Sequence, residues 1–292
     1  VLRAAWRDLA EMDRADLALR LLLVALLFQP VGNPWLRPPA MALAALGLLA
    51  PGALASAGLW AALTALATAR IVLIWPASDN HAFLLAYWCL AALIATLAQR
   101  RDAVLAWNGR ALIAGAFFFA TLWKAVLSPD FLDGRFFAVS LVDDPRFESF
   151  AQLVTGIDAD TLHALRDLTR EHVDGLFVPW EEMPAPPPRL ATVARAMAHA
   201  TVAIEGAIAL AFVLPLGWRI ARVRDALLLL FCATTYALAP VAGFGWLLLS
   251  MGVAQLEPER RRTRALYLAV FAVVLVATRW PVLSRVVELK RG

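Results

Sequence analysis

Long apolar stretches separated by short charged or proline-containing joints set the pattern of this chain. Nine of them carry few charges: residues 17–32, 40–56, 58–76, 82–99, 109–127, 192–216, 220–239, 241–256 and 264–282. A hydrocarbon core about 30 Å thick takes roughly 20 helical residues per crossing. Lipid offers no partner to backbone N–H and C=O groups, so such stretches are expected to be helices. The pattern predicts an all-α fold, a polytopic transmembrane bundle of about nine spans forming one domain over residues 1–292. The second and third spans join through Pro51 and Gly52 without a charged loop, and the seventh and eighth meet at APVAGFG, residues 239–245.

One sizeable hydrophilic segment interrupts this pattern at residues 128–191, rich in Asp and Glu and ending in FVPWEEMPAPPPRL. Asp144 before Pro145 predicts a helix start, and Gly156 its C-cap. A second helix is expected over Asp160 to Val173, with Leu162, Leu165 and Leu168 on one face and Gly175 as its stop. Both helices are expected over the outer mouth of the bundle.

Composition excludes a soluble domain with a polar shell. Hydrophobic residues make up 61% of the chain and charged ones 17%, and the mean hydropathy is +0.68. The net charge of +4 does not point to nucleic acid, because the arginines sit in short clusters beside spans. Placed by the positive-inside rule, the N-terminus, Arg100 and Arg101, Arg219 to Arg224 and Arg260 to Arg264 face the cytoplasm, and the 128–191 insert lies outside. Nine crossings then put the C-terminus outside, although it carries Arg285, Lys290 and Arg291. The first 16 residues lack the apolar run of a signal peptide, so the first span is expected to act as the insertion signal. An Ala/Leu/Arg-rich chain with two lysines fits a high-GC bacterium and its inner membrane. Cys89 and Cys232 lie in apolar helices, which argues against a disulfide, and the four histidines show no metal-ligand spacing. No metal is expected.

Candidate chemistry gathers toward the outer side. Lys124 lies near the end of GRALIAGAFFFATLWKAVL; the other lysine, Lys290, is in the charged tail. Unlike arginine, lysine is able to lose its proton when desolvated and serve as a base, and an intramembrane lysine is a functional hypothesis by default. The bland alternative is a side chain that snorkels to the headgroups. Arg70 lies about one and a half turns below the outer end of the third span, Asp79, Asn80 and His81 open the fourth, and His199 and Glu205 sit in the sixth on different faces. Thr234, Thr235 and Tyr236 close the seventh, and Arg279 and Trp280 the ninth. Trp75, Trp123 and Trp280 fit an aromatic belt, and Asp79 and Asn80 fit a helix cap. A charge deep in a span costs about 2.5–3.5 kcal/mol unless paired or facing a wet cavity, so an Arg70–Glu205 ion pair is the structural alternative for those two.

The stretch WPASDNHAFLLAYWCLAALIATL, residues 75–97, followed by AGAFFFATLWKAVLSPDFLDG, resembles the membrane region of vitamin K-dependent gamma-glutamyl carboxylases and their bacterial relatives, the HTTM proteins. The likeness covers residues 15–140 and, more weakly, 190–256. In that family an Asn-His pair opens a transmembrane helix, and a lysine near the outer end of the next is the base that deprotonates reduced vitamin K. The resemblance thus implies a quinone-dependent carboxylase or lyase, with Lys124 as base and His81 stabilising the anion or shuttling the proton. It implies a cavity that holds a menaquinone-like or vitamin K-like hydroquinone at Asn80, His81 and Lys124, and the polar residues gathered on the same side add Arg70, Glu205, His199 and Tyr236 as candidate binding residues. Two departures count against the full reaction: the large β-rich domain of the animal enzyme has no counterpart, and the family's His-x-x-Asn element is replaced by LLLLFCATTYALAP. They favour a second expectation, a noncatalytic membrane subunit that binds quinone, lipid or pigment and packs against membrane protein partners. A third, a small transporter using Arg70, Glu205 and the break from Pro240 to Gly245, lacks an inverted repeat.

Overall fold

The computed structural model describes residues 11–28, 33–175, 187–238 and 243–279. The joint at Pro240, residues 176–186 of the Pro-rich stretch, Trp280 and the charged C-terminal residues Arg285, Lys290 and Arg291 lie outside them, as does the side chain of Arg279. The described residues are all-helical.

Each of the nine apolar stretches contains a helix: α1 (Arg14–Phe28), α2 (Arg37–Leu49), α3 (Ala57–Ile74), α4 (Asn80–Leu97), α5 (Arg101–Leu122), then, after the insert, α9 (Pro188–Val213), α10 (Arg224–Leu238), α11 (Phe244–Ala254) and α12 (Arg261–Arg279). Four are long and apolar enough to cross a membrane: Ala57–Ile74, Asn80–Leu97, Arg101–Leu127 and Pro188–Val213. That length and composition are compatible with an integral membrane protein. The helices described for the other five stretches fall short of that length or hydropathy, so nine full crossings do not follow from them. The eighth stretch differs most. Its helix, α11, has 11 residues and a reach of about 16 Å, half a hydrocarbon core.

The reason lies in its composition and place. Gly245 to Ala254 are all buried, because α11 is apolar on every side and is packed among α1, α5, α10 and α12. Its one internal hydroxyl is satisfied: Trp88 Nε1 of α4 donates to Ser250 Oγ at 3.0 Å, and Ser250 donates to the Leu247 carbonyl. α5 packs against α4, α9 and α11. Its Arg110, in mid-helix, donates to the carbonyls of Phe212, Val213 and Leu214 and so caps the C-terminus of α9, where the last carbonyls have no intrahelical N–H donors.

After a single helical turn at Pro129–Leu132, three longer helices are described in the insert, where the sequence pattern predicted two: α6 (Arg135–Asp143), α7 (Glu148–Thr155) and α8 (Ala159–Gly175). Pro145 starts a 3-10 turn that runs into α7, and Gly156, at φ 72°, ends it. Asp158 caps α8: the Thr161 amide donates to its side chain at 2.8 Å, and with the Thr161 hydroxyl holds the carboxyl below the usual carboxylate range. The missed helix, α6, begins at Gly134, whose φ of 91° disfavours a side chain. A Cβ there would also lie 2.7 Å from the Arg195 backbone nitrogen, so the turn rests directly on α9. Leu141, Ala151, Leu162 and Leu190 make a small second core between the insert and α9.

Candidate functional site

α5 does not end as an ordinary helix. It widens into one π-helical turn, Trp123–Leu127, which carries Lys124; such turns recur at functional sites. Trp123 stays on the outer surface, 62% exposed, while Lys124 turns inward. Its Nζ donates to Glu205 Oε1 of α9, and it sits 5.3 Å from the centroid of Phe131, just beyond the turn. The lysine therefore does not snorkel, and it is not a lone amine either. Glu205 is 5% exposed, and its second oxygen, Oε2, is buried without a hydrogen-bond partner among the described residues.

The pair opens onto a cavity of about 680 Å³. His81, at the first turn of α4, lines the same space, as does Tyr236 near the end of α10. A run of rings builds one wall: Phe231 lies 5.8 Å from Tyr236, Tyr236 lies 6.4 Å from Phe244, and the His81 ring is tilted over Phe244 at 4.7 Å, all within the range of favourable aromatic contact. This wall requires Gly245. A Cβ at that position would lie 2.6 Å from Tyr236 Cδ2, so only glycine lets the tyrosine ring lie against the start of α11. Phe136, Phe137 and Ser140 of α6 and Phe147 and Phe150 next to and in α7 roof the space. The insert is thus part of the cavity, not a separate body above it.

Of the residues singled out by sequence, Lys124, His81, Glu205 and Tyr236 converge on this cavity, and Thr234 and Thr235 join them. Arg70, Asn80 and His199 are not among its lining residues. Asn80 and His199 are exposed, and His199 lies six residues from Glu205, on another face of α9. Arg70 is not the partner of Glu205. Its Nη2 donates to Asp79 Oδ2 at 3.0 Å, while Asp79 Oδ1 accepts the Ala82 amide at 2.8 Å and so caps α4. The Arg70–Asp79 pair ties the end of α3 to the start of α4, a structural contact.

Sequence reasoning missed the insert aromatics and the α9 face that supplies Met197, Thr201 and Ile204 beside Glu205. That face was legible at helical spacing, since 197, 201, 204 and 205 fall on one stripe. Among the described residues no group of three or more His, Cys, Asp or Glu side chains is able to hold a metal ion. Chemically, the cavity offers an ammonium and a carboxylate in contact, an imidazole, hydroxyls and broad aromatic walls. No protein-family model matches the chain, and neither the curated proteins nor the solved structures contain a match.

Proposed function

We propose that this chain is an integral membrane protein of the bacterial inner membrane, with about nine crossings and a cytoplasmic N-terminus, that holds a reduced quinone in the outer-side cavity and takes a proton from it. The observation that carries the reading is the convergence of Lys124, Glu205 and His81 on one mainly apolar cavity. Its volume falls in the range of small-molecule pockets, roughly 300–1,000 Å³. The likeness of residues 75–97 and of the Lys124 segment to gamma-glutamyl carboxylases and HTTM proteins supports the same reading.

A hydroquinone fits what is present: flat rings suit aromatic walls, and the partnerless Glu205 Oε2 is an acceptor awaiting a donor. When bound, it would supply an acidic O–H and two electrons. Lys124 and Glu205 share one proton, and in the arrangement that leaves it on Glu205 the Lys124 amine is neutral and takes the hydroquinone's proton, ending as an ammonium beside the hydroquinone anion, so that the charge summed over pair and ligand does not change. Lys124 is the base of the unit and Glu205 its relay. His81, held by Phe244, stands on the same wall to steady a developing anion or pass the proton on. The insert aromatics keep bulk water from the pair.

The test is hydroquinone consumption by the full chain in lipid nanodiscs with O₂ supplied as the electron acceptor, which the hydroquinone anion reduces far faster than the neutral hydroquinone does. Lys124→Arg keeps the charge opposite Glu205 but removes the base, so turnover should fall at least about a hundredfold while the helical signal and unfolding midpoint stay unchanged. Comparable turnover in that variant overturns the assignment. Hydroquinone bound by the wild type without any turnover supports instead the noncatalytic subunit, a reading that the LLLLFCATTYALAP departure favours.

A further inference from the structure

Lys124 is the cavity's cation, yet its charge is cancelled within the same wall by Glu205, which lies 81 residues away in sequence and presents 7% of its side-chain surface. A site built to seize an anion leaves its lysine uncompensated. Here the compensating carboxylate has a spare oxygen, Oε2, buried and without a donor among the described residues, while the rest of the lining is mostly phenylalanine and aliphatic side chains, with one further carboxylate, Asp144, at the end of α6 in the insert. Apolar walls penalise any net charge brought from water, and a buried acceptor without a donor is costly until something donates to it. Both costs act in one direction.

We infer that the Lys124–Glu205 pair makes this cavity selective for an uncharged, ring-bearing ligand whose polar end donates a hydrogen bond, and that Glu205 is the residue that sets this selectivity. This rests on the proposed reading of the same cavity and adds its rule of choice: a hydroxyl-bearing ring is preferred over the same ring bearing a carboxylate, and over the same ring with no donor at all. A hydroquinone has the required O–H and an oxidised quinone does not, so Glu205 separates the two redox states by hydrogen bonding.

Three probes with one ring system isolate the rule: 2-naphthol, 2-naphthoate and 2-methoxynaphthalene, with binding to the detergent-purified full chain measured by calorimetry at neutral pH. The wild type is expected to bind naphthol about tenfold or more tighter than either of the others. Glu205→Gln leaves the Lys124 ammonium uncompensated, and the order of naphthol and naphthoate should reverse. Adding Lys124→Gln to that variant removes the second charge, and the preference for naphthol over naphthoate should return. A purely structural role for the pair predicts no such reversal and rescue. Naphthoate bound by the wild type as tightly as naphthol overturns the inference, whether or not either variant folds. An unchanged order in a folded Glu205→Gln protein overturns it too. Failure of all three probes and of a hydroquinone to bind the wild type overturns the cavity reading itself.

Discussion

Two buried carboxylates sit near the two ends of α10, and they are treated in opposite ways. Near its start, Asp225 is saturated: Gln255 Nε2 and the Tyr267 hydroxyl donate to Oδ1 at 2.6 and 3.0 Å, and Arg260 lies 3.4 Å from Oδ2. Near its end, beside Tyr236, Glu205 receives Lys124 on one oxygen and nothing on the other. Asp225 binds α10, α11 and α12 together with every donor supplied by the chain. Glu205 opens on a cavity, with one place left for a donor that the described residues do not supply. Burial and charge are shared by both sites; the difference in saturation separates a clasp from a binding site.

Removing the clasp should have the largest effect on stability. Asp225→Ala strands two buried donors and an arginine at once, a loss of about 3 kcal/mol, read as a lower unfolding midpoint in detergent. The preference for naphthol over naphthoate should survive in the protein that remains folded. A shifted preference there would show that the two ends are coupled and that the division drawn here is wrong. Gly245→Ala comes next. Its methyl group meets the Tyr236 ring and costs about 1–3 kcal/mol by overpacking, and because relief lies on the cavity side, naphthol binding should weaken about tenfold. Smaller still is Phe244→Leu, which removes the ring beneath His81 at about 0.5–1.5 kcal/mol. It should weaken naphthol binding severalfold and keep the order of the probes, since the charge pair is untouched.

The two ends also differ in how far the sequence revealed them. Lys124 and Glu205 stood out singly, because each is a charge inside an apolar run, and the cost of leaving it there unpaired demands a partner or a cavity. Their pairing did not. The register of α5 against α9 decides it, through the π turn that swings Lys124 inward and the Arg110 contacts that fix the end of α9, and no periodicity encodes that register. Arg70 was the nearest candidate partner for Glu205 by depth alone, and a local competitor, Asp79, captures it. The helices at the nine apolar stretches were legible for the same reason the charges were. The short reach of α11 was not, because a helix buried by protein on all sides and one buried by lipid have the same composition. The α6 helix was missed because its start is set by a tertiary contact, Gly134 resting on the backbone of α9.

The smallest expected effect falls on Arg70, and it is the sharpest check on the boundary of the site. The Arg70–Asp79 pair has side chains 21% and 49% exposed, so losing it in Arg70→Gln should cost at most about 1 kcal/mol. Asp79 keeps the Ala82 amide, so the cap on α4 persists, and with it the position of His81 two residues on. Naphthol binding, the order of the three probes and hydroquinone turnover should all stay within about twofold of wild type. A loss of binding in a folded Arg70→Gln protein would mean that the C-terminal end of α3 moves His81, and the site would then have to be drawn to include the α3–α4 joint. Equal binding leaves selectivity where the unsaturated carboxylate is.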